Sequence, residues 1–150
     1  MSFRGRHDHT LDNKGRVSIP AGFRMEIQKL GGTQPPLLTW GKDHLILFPA
    51  QVWEVMERDL GSKSSLLPDV QKYQRLLIGG CNECPIDSQG RITIPGAACE
   101  HADLSGKVTL AGVLNKIEIW NHERFENDLR LTLERHDEIQ ISVEKSTSGP

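Results

Sequence analysis

Two ten-residue segments of this chain are nearly the same. Leu11–Pro20 reads LDNKGRVSIP and Ile86–Pro95 reads IDSQGRITIP, so that five shared residue types recur at an offset of 75 residues. A second pair, LILFPAQVW at Leu45–Trp53 and IEIWNHERF at Ile117–Phe125, follows in the same order at an offset of 72. Two matched pairs at almost one offset mark an internal repeat. The chain is therefore predicted to fold as two similar halves packed as a pseudo-dimer.

Each copy of the first segment predicts a tight turn that leads into a short strand. Aspartate suits the first position of a type I turn, and glycine suits the fourth because it adopts positive φ without strain. The alternation in RVSI and RITI predicts strands with the arginine facing out and the next residue facing in. Proline then ends the strand and can open a helix. The shared positions are Asp12, Gly15, Arg16 and Pro20 in the first copy and Asp87, Gly90, Arg91 and Pro95 in the second.

The rest of each half supports the same order of elements. A helix, a hairpin and an amphipathic helix are predicted to follow the repeated turn in both halves. We expect the first half over residues 1–60 and the second over 80–140. Between them, residues 61–79 are expected to form a linker with a helix that begins at Pro68. Residues 141–150 are expected to be a disordered tail.

Composition favours a globular cytoplasmic protein. The 150 residues are 37% hydrophobic and 25% charged, which is ordinary for a folded domain. Three cysteines are an odd number, which suits a reducing compartment better than a disulfide framework. The first ten residues lack the apolar segment of a signal peptide, and no apolar run approaches the ~20 residues that cross a bilayer. No membrane contact is expected.

Charge is uneven along the chain. The net charge is −2, yet residues 1–29 carry six basic and three acidic side chains, and residues 121–150 carry four basic and seven acidic ones. Local charge decides which face meets a polyanion. Arg4 and Arg6 in the basic segment are therefore secondary candidates for contact with nucleic acid, although they would also suit a solvated strand.

The turn itself is the main candidate site. Outward arginines with Lys14 at the tip of the first turn could contact phosphates or guanine edges. An ion pair across each turn, Asp12 with Arg16 and Asp87 with Arg91, explains the same residues equally well. The two interpretations are compatible if the aspartate positions an arginine that still meets DNA. No catalytic motif, cofactor site or effector site is recognised.

These segments resemble the MraZ family of bacterial transcriptional regulators. FRGRHDHTLDNKGRVSIPAGFR, over residues 3–24, contains the family pattern Asp12-x-Lys14-Gly15-Arg16, then Pro20 and Arg24. The second copy departs from it with Gln89 in place of lysine and Cys99 in place of arginine. YQRLLIGG from Tyr73 and NKIEIW from Asn115 are also similar to the family.

The resemblance implies an α+β, mainly β fold of two tandem AbrB-like ββαββ halves. These would form an intramolecular swapped-hairpin barrel with flanking helices. It implies a ring-like homo-oligomer, associated with the nucleoid, that binds double-stranded DNA at short direct promoter repeats. Its expected role is mainly repression of the division and cell-wall gene cluster. The departures at Gln89 and Cys99 imply that the second half contributes less to DNA contact.

Two alternatives remain open. Cys81, Cys84, Cys99 and His101 could in principle ligate zinc. However, residues three apart on a strand point to opposite faces, and residues two apart on a helix do not face each other, so no metal site is expected. An AbrB-like protein-interaction module such as an antitoxin is the other alternative, and co-purification of a small partner would distinguish it.

Overall fold

The computed structural model describes residues 2–146, which contain eight strands and six helices. The strands are β1 (Phe3–Thr10), β2 (Arg16–Ser18), β3 (Leu37–Trp40), β4 (Leu45–Phe48), β5 (Asn82–Glu83), β6 (Arg91–Thr93), β7 (Lys107–Leu114) and β8 (Lys116–Asn121). The helices are α1 (Ala21–Lys29), α2 (Ala50–Gly61), α3 (Pro68–Leu77), α4 (Gly96–Ala102), α5 (His122–Glu134) and α6 (His136–Lys145).

The sheet has the pseudo-two-fold symmetry that the duplication predicts. Six strands form one sheet in the order β1-β7-β8-β4-β3-β5, and β2 and β6 form a separate two-stranded ribbon. The order reads the same from either edge when each strand is exchanged for its counterpart in the other half. All the strand pairs are antiparallel. Because β1 pairs with β7 and β5 pairs with β3, each half supplies an edge strand to the other.

The second repeated pair confirms the same symmetry. Phe48 contacts Trp53 in the first half with ring centroids 5.8 Å apart. Trp120 contacts Phe125 at the same centroid distance in the second half. Both pairs join the last strand of a half to the helix that follows it. The aromatic residues therefore fasten α2 and α5 to equivalent places on the sheet.

Two expectations about the fold are wrong. The sheet is open, because its edge strands β1 and β5 lie at opposite ends, so the predicted barrel does not form. The two edges are also unequal: β1 has eight residues and β5 only two. Pro35, Pro36 and Pro85 flank the short pairing, and prolines have no N–H for a longer ladder.

The predicted mainly β content is also wrong, since the helices together are longer than the strands. Helix α6 accounts for part of this difference because it covers residues 141–145, where a disordered tail was predicted. Residues 147–150 of that predicted tail lie outside the described part of the chain. Ile139, Ile141 and Val143 alternate with the polar Gln140 and Ser142, a spacing of two that is typical of a strand, so this pattern does not by itself indicate helix α6.

One core serves both halves. Val17 and Ile92, which face each other across the β2–β6 ribbon, are 1% and 0% exposed. They pack in the same buried cluster as Leu47 of the first half and Ile119 of the second. The ribbon is therefore held on its inner side by apolar contacts from both copies of the repeat. Within residues 2–146, no helix is long and apolar enough to cross a membrane.

Candidate nucleic-acid interface

The first turn is organised by the carboxylate of Asp12. Its Oδ1 accepts the backbone N–H of Lys14 at 2.9 Å and of Arg16 at 2.8 Å, and its Oδ2 accepts Arg16 Nε at 2.7 Å. The N–H of Gly15 donates to the carbonyl of Asp12 at 3.1 Å, with Gly15 at φ +78°. Glycine is required at this position because other residues are strained at positive φ.

The second turn repeats this geometry. Asp87 Oδ1 accepts the N–H groups of Gln89 and Arg91, both at 2.9 Å, and its Oδ2 accepts Arg91 Nε at 3.0 Å. Gly90 donates to the Asp87 carbonyl at 3.0 Å and also has φ +78°. The predicted turn is thus confirmed in both copies, together with the ion pairs between Asp12 and Arg16 and between Asp87 and Arg91.

Both carboxylates are stabilised in their charged form. The backbone N–H of Arg16, and then its guanidinium, lower the pKa of Asp12 from 3.8 to about 2. The backbone N–H of Arg91 is likewise the main cause that lowers the pKa of Asp87. The turns therefore keep their charged hydrogen bonds at neutral pH.

The ion pairs leave the arginines available. Asp12 and Asp87 engage the Nε atoms, and the Nη atoms of Arg16 and Arg91 make no hydrogen bond within the described part of the chain. The side chains of the two arginines are 30% and 24% exposed. The geometry thus allows both the ion pair and a contact with nucleic acid. The aspartate orients the guanidinium through Nε, and the Nη atoms at its outer edge remain open.

The β2–β6 ribbon brings the two turns into one surface. Arg16 pairs with Thr93 and Ser18 with Arg91, around the central pair Val17 and Ile92. Two further bonds extend the ribbon symmetrically, from the N–H of Ile19 to Gly90 and from that of Ile94 to Gly15, both at 2.8 Å.

Arg16, Ser18, Arg91 and Thr93 lie on the outer face of the ribbon, opposite the buried pair. Diagonal neighbours on such a face are roughly 7–8 Å apart, so the two arginines are close together. We call the outer face of the β2–β6 ribbon together with its two turns, residues 12–18 and 87–93, the double-turn surface.

The tips of the turns differ in charge. Lys14 is exposed at the tip of the first turn, and Gln89 is exposed at the corresponding place in the second. The double-turn surface therefore carries three cationic side chains, two of them from the first turn.

Arg4 and Arg6 do not join this surface. Both lie on β1, paired with Val113 and Ala111 of β7. Arg6 lies four residues before the end of β1, whereas the first turn begins at Asp12, beyond that end. Its guanidinium carbon lies 5.7 Å from the ring centroid of Phe125 in α5. The structure thus separates these candidates from the turns.

The prolines of the motif and Arg24 lie at or on the helices that follow the ribbon, and not on the double-turn surface. Pro20 and Pro95 are the residues before the first turns of α1 and α4, as their sequence positions predict. Arg24 projects from α1, and its Nη1 donates to the carbonyl of Ile19 at 2.6 Å. Sequence reasoning missed that this guanidinium also contacts Gly90 of the other half. The one sequence signal for this contact was that Cys99 stands in the second half at the position that corresponds to Arg24.

The cysteines and His101 are held in separate contacts. Cys84 Sγ lies 3.7 Å from the carbonyl of Thr93, and Cys99 Sγ lies 3.8 Å from that of Ile94. His101 stacks on Trp40 and its Nε2 lies 2.8 Å from the carbonyl of Gly41. No group of three or more His, Cys, Asp or Glu side chains suited to a metal ion occurs in residues 2–146.

Burial also disfavours the charged form of the thiols. It raises the pKa of Cys81 to about 11 and that of Cys84 to about 12, with smaller effects of neighbouring acidic groups.

The two copies of the turn are joined by the β2–β6 ribbon, and this arrangement shows what class of protein the chain is. It is a tandem-repeat protein in which two half-domains present one symmetric double-turn surface. The family model described as "MraZ protein, putative antitoxin-like" matches the chain twice, over residues 2–76 and 77–138. The chain belongs to the MraZ family.

Curated relatives support this assignment over almost the whole length. A protein of Moorella thermoacetica is 37% identical over 138 residues, which cover 91% of this chain and 93% of the relative. One of Halothermothrix orenii is 35% identical over 144 residues, 95% of this chain and 96% of the relative. One of Pectobacterium carotovorum is 34% identical over 151 residues, 99% and 93% of the two chains. All three are named transcriptional regulator MraZ.

Proposed function

We propose that this protein is a sequence-specific DNA-binding transcriptional regulator and that the double-turn surface contacts the DNA. The observation that carries the proposal is the position of Arg16 and Arg91 on one exposed face, each held by an aspartate. The names of the relatives support a DNA-binding regulator rather than an enzyme.

The shape of the surface suits duplex DNA. A two-stranded β-ribbon is narrow enough to enter the major groove. In this orientation the open Nη atoms of Arg16 and Arg91 reach guanine O6 and N7, or phosphates at the groove edge. The hydroxyl groups of Ser18 and Thr93 lie beside them and add hydrogen bonds to base edges. Lys14 at the tip is placed for a phosphate.

Self-association would strengthen this small contact. We propose a ring-like homo-oligomer, whose linked surfaces bind short direct repeats in a promoter with a high effective concentration. Exposed apolar side chains on three helices support such assembly, since contact with another subunit would remove their apolar surface from water. They are Tyr73 and Leu76 on α3, Leu131 and Leu133 on α5, and Ile141 and Val143 on α6.

The finer expectations from the family resemblance complete the proposal. The protein is proposed to act mainly as a repressor of the division and cell-wall gene cluster, in the cytoplasm and at the nucleoid. The exchange of edge strands between the halves supports the swapped-hairpin description, although the sheet does not close. No cofactor or small-molecule effector is part of the proposal.

A band-shift titration with the DNA upstream of the protein's own gene tests this function. Wild-type protein is expected to bind, with an affinity that falls steeply between two salt concentrations. Arg16→Ala should weaken binding and leave assembly, measured by native mass spectrometry, unchanged. Unaltered DNA binding by a correctly assembled Arg16→Ala protein would contradict the proposal.

An antitoxin-like interaction module is the second candidate. The description of the matching family model includes this term, and the exposed apolar residues of α5 and α6 could also serve a protein partner. Co-purification of a small protein at a fixed stoichiometry, without binding to the upstream DNA, would favour this candidate over the first.

A further inference from the structure

Arg24 links the first half to the turn of the second. Its Nη1 donates to the carbonyl of Ile19, next to the helix on which Arg24 lies. The same guanidinium lies against Gly90, where an added Cβ would collide with Nη1 and with Cζ at 2.9 Å. The N–H of Ile19 meanwhile donates to the carbonyl of Gly90 at 2.8 Å. Ile19 and Arg24 thus enclose Gly90 from two directions.

The first turn has no such guanidinium. Cys99 occupies the position that corresponds to Arg24, and its Sγ makes only a weak, 3.8 Å contact to the carbonyl of Ile94. A Cβ added at Gly15 would meet that carbonyl at 3.0 Å and no side chain. Gly90 is consequently buried, whereas Gly15 is only partly buried.

We propose that Arg24 is a positioning residue that fixes the second turn and so holds Arg91 in place to contact DNA. This inference rests on the proposed function of the double-turn surface. Gly90 immediately precedes Arg91, so a guanidinium packed on Gly90 restrains the backbone from which the Arg91 side chain leaves. The second turn lacks a lysine at its tip, and Arg91 is its one cation. A fixed orientation of that single side chain therefore matters more for this turn than for the first.

The position of Arg24 favours this indirect role over direct DNA contact. Its side chain is partly buried, and it borders a pocket with Ile27, Pro85 and Ile86. Its Nη1 is already committed to the carbonyl of Ile19. Arg16 and Arg91, by contrast, keep their Nη atoms open on the outer face of the ribbon.

DNA affinity in three backgrounds tests the proposal. Arg24→Ala should weaken binding of the full-length protein to the upstream duplex about fivefold, a factor equal to about 1 kcal/mol. The same factor is expected in an Arg16→Ala background. No further loss is expected in an Arg91→Ala background, because the residue through which Arg24 acts is then absent. An undiminished loss in the Arg91→Ala background, or no loss in the wild type, would overturn the inference.

Cys99→Ala is the matched control at the corresponding position. It removes only the weak thiol contact and should change affinity less than twofold. Arg24→Lys should recover part of the affinity, since an ammonium can still bind the Ile19 carbonyl but lacks the broader guanidinium that lies against Gly90. An Arg24→Lys variant as weak as Arg24→Ala, or a loss in Cys99→Ala equal to that in Arg24→Ala, would count against the proposal.

Hydrogen exchange without DNA separates this inference from the proposed function. In the free protein, Arg24→Ala should speed amide exchange in a peptide that covers residues 87–91 and leave residues 12–16 unchanged. If Arg24→Ala exchanged residues 87–91 no faster than the wild type does, or sped exchange in both turns by the same factor, the positioning role would be overturned. If the positioning effect is present but neither Arg16→Ala nor Arg91→Ala affects DNA binding, the proposed function fails instead.

Discussion

The two turns have the same hydrogen bonds and different surroundings. In each, one aspartate organises two backbone N–H groups and the arginine four residues later. The first turn has a lysine at its tip and a partly exposed glycine, whereas the second has a glutamine and a glycine buried beneath Arg24. The comparison shows that the local contacts of aspartate, glycine and arginine are enough to give both turns the same backbone geometry. The charge of each turn depends instead on the residue at its tip, and its packing depends on whether Arg24 or Cys99 follows in the helix.

The largest expected effect comes from the core that the two turns share. Ile92→Ala should lower the free energy of unfolding by about 2–5 kcal/mol, because it leaves a cavity at a fully buried position. Urea denaturation of the variant should remain a single transition, since Ile92 packs with residues of both halves. Two separate transitions, with only the second half destabilised, would show that the turns rest on independent cores.

The next effect compares the two outward arginines. Arg16→Ala should weaken DNA binding roughly 30-fold and Arg91→Ala roughly tenfold, within the 1–3 kcal/mol range of a good arginine–base pair. The first turn is expected to contribute more because Lys14 strengthens the field around Arg16. Fluorescence anisotropy with a labelled duplex measures both. A greater loss for Arg91→Ala would reverse the assigned ranking of the turns.

A charge exchange at the tips gives a smaller effect. Lys14→Gln should make the negative slope of log affinity against log salt shallower by about 0.9 for each engaged subunit, and Gln89→Lys should make it steeper by about the same amount. The affinity itself should change only a few-fold. Titrations at three or more salt concentrations measure the slopes. Unchanged slopes in both variants would place the tips away from the phosphates.

The smallest effect concerns pH. The pKa of Asp12 is lowered to about 2 from 3.8, so the stability that its carboxylate contributes is complete above about pH 4. It is lost as the pH falls from 4 towards 2. The stability difference between wild type and Asp12→Asn, measured by urea denaturation, should therefore be constant from pH 5 to 8 and decrease below pH 4. A difference that changes between pH 5 and 8 would contradict the low pKa.

Sequence reasoning reached the local structure more accurately than the global one. The turn, the outward Arg16 and the symmetry between the halves were all predictable, since they depend on glycine conformation, strand alternation and an obvious repeat. The open sheet was not, because closure depends on how far the edge strands extend, and the length of β5 depends partly on Pro35 and Pro36, which are distant from it in sequence. The contact between Arg24 and Gly90 spans 66 residues of chain and has no local signal.

Hydrogen exchange of the full-length protein, with and without its upstream duplex, shows which surface meets DNA. DNA should protect the amides of residues 12–18 and 87–93 together, with little change on α5 and α6. Protection confined to those helices, with both turns exchanging as in the free protein, would contradict the proposed DNA contact at the double-turn surface.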